Sequence, residues 1–75
     1  MTHIPVDIML NNGRTFYKTL FYHYMPPMNI DALYIWVLMK LPSLRKRDFS
    51  IVFDSPGKNS ETSVYEVKNG RYTKC

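Results

Sequence analysis

Seventy-five residues make one domain, spanning 1–75, of a size that buries only about 60% of the surface its unfolded chain exposes. At 45% hydrophobic and 15% aromatic residues, the chain has material for a core, which excludes the composition of a disordered tail. Ten Lys and Arg against six Asp and Glu give a net charge of +4, which excludes an acidic mimic of nucleic acid and leans toward anionic partners.

The single cysteine, Cys75, has no partner for an internal disulfide, which fits a reducing compartment. Met1-Thr2-His3-Ile4-Pro5 lacks the basic start and apolar centre of a signal peptide. The longest apolar run contains Asp31 and Lys40 and is far shorter than the roughly 20 residues needed to cross a bilayer. The expectation is a soluble cytoplasmic protein with no membrane contact.

Residues 4–25 read as a β-hairpin. Ile4, Val6, Ile8 and Leu10 alternate with Pro5, Asp7 and Met9, the period of a half-buried strand. Asn11-Asn12-Gly13 supplies residues that tolerate the positive φ of a tight turn. The aromatic and β-branched stretch from Arg14 to Tyr24 favours the returning strand. A two-residue loop at Asn12-Gly13 sets Asp7 opposite Lys18 and Met9 opposite Phe16, and it is preferred because Asp7 gains an opposite charge. A three-residue loop pairs Ile8 with Phe16 instead.

Met25-Pro26-Pro27-Met28 ends the strand, because proline has no N–H to give a ladder. A helix then spans 29–41. Ile30, Leu33, Tyr34, Val37, Leu38 and Leu41 recur at the spacing of one buried face. Asn29 is placed to cap it, Asp31 and Lys40 match its dipole, and Pro42 stops it. Ala32, Ile35, Trp36 and Met39 form a second apolar set, roughly opposite the first at about 100° per residue. A chain this short has little to cover both faces, so that second set reads as a protein interface centred on Trp36.

After the helix, Pro42 to Asp48 is a connection holding Arg45-Lys46-Arg47. Phe49–Asp54 reads as a short central strand, 55–60 as a polar loop, and Thr62–Lys68 as a fourth strand. Asn69-Gly70 turns the chain into an edge strand at Arg71–Lys74. The order is β-β-α-β-β-β. The expected fold is α+β: a largely antiparallel sheet of four or five strands with one helix packed on one face.

No catalytic constellation is visible, and the chain reads as a non-enzyme. His3 and His23 lie near neither a Gly-flanked serine nor a nucleophile elbow. Two histidines and one cysteine, widely separated, give no metal spacing, and no cofactor motif is present. Arg45, Lys46 and Arg47, extended by Lys40, form a basic patch for phosphates or an acidic protein surface; their other reading is a solvated helix exit. Arg14, Lys18, Tyr17 and Tyr22 are the candidate nucleic-acid contacts, since exposed rings on a sheet can stack unpaired bases.

In style, a compact basic chain with an apolar helix face and a basic loop resembles the small accessory or inhibitory proteins of phages and mobile elements. The resemblance covers no particular residues. It implies a protein that binds and modulates a larger host complex, for example a nuclease or defence enzyme. The expected partner is therefore another protein or a second copy of the chain. The alternative is a small basic domain that binds DNA or RNA.

Overall fold

The computed structural model describes residues 2–25, 27–54 and 61–75; the loop expected over 55–60 lies outside them, as does Pro26. Strands β1 (Thr2–Leu10) and β2 (Thr15–Tyr24) precede a helix, α1 (Ile30–Lys40), and a 3-10 turn (Pro42–Lys46). Strands β3 (Phe49–Asp54), β4 (Thr62–Lys68) and β5 (Arg71–Lys74) follow. They form one five-stranded sheet in the order β2-β1-β3-β4-β5, antiparallel at every pairing. The α+β architecture expected from the sequence is the one observed, with β3 at the centre.

Alternation in β1 decides which face is covered. Ile4, Val6, Ile8 and Leu10 are buried, as are Phe49, Ile51 and Phe53 from β3 and Val67 from β4. Leu33 and Val37 of α1 and Leu44 of the 3-10 turn complete this core. The whole core lies on one side of the sheet, because one helix can cover only one face.

The helix begins and ends where its sequence dictates. Asn29 Oδ1 accepts from the Ala32 N–H at 3.1 Å, satisfying a first-turn donor that otherwise has no partner. At the other end the Leu41 N–H donates to the Val37 carbonyl at 2.9 Å, and Pro42 starts the 3-10 turn. Leu44, 1% exposed, plugs that turn into the core and so fixes the place of the basic residues beside it.

Two aromatic pairs seat α1 laterally. Toward β5, Tyr34 lies 5.4 Å from Tyr72 between ring centroids. Tyr72 also donates to the Asp31 carboxylate, and Tyr34 donates to the Gly70 carbonyl at 3.3 Å. Toward β2, Trp36 meets Tyr22 edge-on at 5.0 Å.

Both Asn-Gly turns adopt the left-handed backbone their composition permits. Asn11, Asn12 and Gly13 have φ of 53°, 58° and 81°, and Asn69 and Gly70 have 53° and 76°. Beyond the first turn Met9 faces Phe16, as the two-residue loop requires. The pairing then slips between Ile8 and Met9, leaving Tyr17 as an extra residue on β2. Asp7 therefore faces Thr19 rather than Lys18, and it accepts from the Thr19 hydroxyl at 2.7 Å. A neighbouring hydroxyl satisfies the carboxylate without the expected ion pair.

Candidate functional site

The outward side of α1 carries the first candidate surface. Ile35 is 56% exposed, Met39 is 66% exposed, and Ala32 lies exposed about one turn before Ile35. Trp36, expected at the centre of this patch, stands at its border. Its ring turns back onto Tyr22, and the Lys40 ammonium lies 6.0 Å from its centroid. The reason is angular: Trp36 sits about 100° from Val37 around the helix, on the flank facing β2. A shallow groove of about 630 Å³ adjoins the patch, lined by Asp31, Tyr34, Ile35, Gly70, Arg71 and Tyr72. Within it, the hydrogen bond to Asp31 raises the pKa of the Tyr72 phenol above its usual value, because the carboxylate accepts only from the protonated form.

The second candidate surface is basic and lies at one end of the sheet. Antiparallel pairing brings the end of β1, the start of β3 and the β4–β5 turn to the same side. Arg14, Arg45, Lys46, Arg47, Lys68 and Arg71 therefore share that end. All six are exposed. Lys46 and Arg47 line a groove of about 460 Å³ with Asn11, Asn12, Asp48 and Phe49, joining the β1–β2 turn to the helix exit. Lys68 is not free there, since its ammonium pairs with Glu66 at 2.8 Å. Lys40 belongs to the Trp36 flank rather than to this groove.

The candidate nucleic-acid contacts are dispersed. Tyr22 is half-buried beneath Trp36, and Tyr17 is exposed at the bulge. Lys18 pairs across from buried Ile8 and so lies on the helix side of the sheet. On the opposite, uncovered face are Phe16 at 58% exposure and Phe21 at 66%. The most exposed rings are thus Phe16 and Phe21 of the aromatic stretch, rather than the candidate contacts Tyr17 and Tyr22. Parity with β1 could have marked Phe16, which pairs with outward Met9, but Phe21 faces Pro5 only because of the bulge at Tyr17. His3 and His23 stack on the same face at 5.1 Å. Among the described residues no group of His, Cys, Asp and Glu is arranged to hold a metal ion.

Comparison with known proteins finds no matching family model, no similar curated protein and no similar solved structure. The functional reading rests on geometry. Among the described residues no helix is long and apolar enough to cross a membrane.

Proposed function

We propose that this chain is a non-enzymatic binding protein that docks another protein on the outward face of α1. The observation that carries this reading is the exposure of Ile35 and Met39 on a helix whose other face is already buried in the core. Exposed apolar side chains grouped on a rigid helix, with an apolar groove beside them, are the form of a helix-face interface. Trp36 and Ala32 border the contact, and Arg45, Lys46 and Arg47 steer an acidic partner toward it. On this reading the protein acts in the cytoplasm by occupying a surface of a larger complex, in the manner of phage and mobile-element accessory proteins.

The test is affinity capture from a lysate of the source cell with wild type and with the Ile35→Lys/Met39→Lys double variant. The reading expects a protein held by the first and released by the second, with far-UV circular dichroism unchanged. Identical capture by both, with the variant folded, would refute it.

A second reading follows from the crowding of cations at one end. The groove between Asn11, Asn12, Lys46 and Arg47 suits a phosphate backbone, and Arg14 and Arg71 extend it along the sheet end. This reading expects a DNA or RNA shift at low salt that weakens steeply as salt rises. No shift at any salt concentration would remove it.

A further inference from the structure

The two edges of the sheet are built differently. Strand β5 has four residues and carries Arg71 and Lys74, and short charged edges discourage pairing with another chain. Strand β2 has ten residues, TFYKTLFYHY, with Lys18 as its only Lys, Arg, Asp or Glu. Among the described residues it pairs with β1 alone, so the backbone groups along its other side have no ladder partner. A long aromatic edge with a single charged residue and no proline is a template for one more strand.

We infer that β2 is a self-association edge, and that its occupant is β2 of a second copy, added antiparallel about a two-fold axis. This inference concerns a surface other than the helix face and stands independently of it. Three observations select a second copy.

The first is the register. The bulge at Tyr17 interrupts regular pairing, so the regular part of β2 runs from Lys18 to Tyr24. Its midpoint is Phe21, among the most exposed large apolar residues of the chain. A two-fold axis there pairs every residue of the segment: Phe21 with itself, Thr19 with His23, Leu20 with Tyr22, and Lys18 with Tyr24. The second is the side-chain match. Phe21 meets Phe21 on the open face, Leu20 meets Tyr22 on the helix side, and no like charges face one another. The third is long-range charge. Antiparallel addition sets the Thr15 end of β2, beside the basic cluster, against the partner's Tyr24 end. The two basic ends lie at opposite ends of the dimer, whereas a parallel addition would bring them together. The product is a continuous ten-stranded sheet with the helices of both copies on one side.

The experiment is solution mass by light scattering for wild type and Phe21→Lys, with cross-linking of Phe21→Cys in a Cys75→Ser background. Cross-strand neighbours bring their Cβ atoms close enough for a disulfide with little adjustment. The expected results are a wild-type dimer, a twofold fall in mass for folded Phe21→Lys, and a disulfide-linked dimer for Phe21→Cys on mild oxidation. Met39→Cys in the same background, the control on the helix face, should remain unlinked. A wild-type monomer at millimolar concentration would overturn the inference. So would a dimer that survives in folded Phe21→Lys, or preferential linking through Met39→Cys. Should Phe21→Lys fail to fold, the cross-linking pair decides alone.

Discussion

Truncating Leu33 and Met39 separately tests whether α1 has one seated face and one free face. Both side chains lie on the same helix, yet Leu33 is 1% exposed and Met39 is 66% exposed. Leu33→Ala removes fully buried carbons and leaves a cavity beside Val37, a change that costs about 2–5 kcal/mol. Met39 has about a third of its surface buried, so Met39→Ala forfeits about 0.5–1 kcal/mol of the burial of a full side chain. The better helix propensity of alanine returns a few tenths of that. The gap between the variants is then about 2 kcal/mol in a domain whose whole stability is roughly 4–11 kcal/mol. In thermal denaturation followed by circular dichroism at low protein concentration, Leu33→Ala should melt about 8 °C or more below wild type. Met39→Ala should stay within a few degrees. If Met39→Ala proved as damaging as Leu33→Ala, the outward face would be covered in solution and the reasoning from its exposure would fail. If Leu33→Ala cost less than about 1 kcal/mol, the helix would not be seated as described.

Two further outcomes follow. Asn29→Ala removes the acceptor for the Ala32 N–H and should lower stability by about 1 kcal/mol, measured by urea denaturation. Titration of tyrosinate absorbance should show one phenol ionising above the usual tyrosine range, and Asp31→Asn should return it toward that range. Because the folded pKa of Tyr72 is raised, its contribution to stability is complete below the unfolded value of about 10 and is lost as pH rises through the folded value. The Asp31→Asn variant should therefore lose less stability than wild type over that alkaline interval.

Where one physical signal dominated, the sequence was readable. In β1, apolar and other residues alternate cleanly, so its buried face follows from period alone. The helix carries a cap, a stop and a stripe, and its limits follow within a residue. Strand β2 is different, because Leu20, Tyr22 and Tyr24 on one face are matched by Phe16, Phe21 and His23 on the other. With rings on both faces, alternation cannot say which are covered. Nor does composition reveal the extra residue at Tyr17, so the expected pairing of Asp7 with Lys18 gave way to Thr19. The lateral seat of α1 was hidden for another reason. Asp31 and Tyr72 are 41 positions apart, and Tyr34 and Gly70 are 36 apart, separations that no local pattern spans. For the candidate surfaces, the exposure of Ile35 and Met39 agrees with the helical spacing. The placing of Trp36 against Tyr22 depended on where β2 lies in the sheet, which is a property of topology.

The strand order has a consequence for how the chain finds its fold. The β1–β2 and β4–β5 ladders each close across a short turn, within reach of fast local collapse. The β1–β3 ladder joins the two halves of the sheet, and all of β2 and α1 lies in the loop that it closes. That closure must meet its entropy before the core made by Ile8, Ile51 and Val37 rewards it. The centre of the finished sheet is thus the contact with the highest entropic barrier. Until it forms, β1 is a second unpaired edge beside β2, and the half-folded chain offers neighbouring chains the aliphatic edge of β1 as well as the aromatic edge of β2.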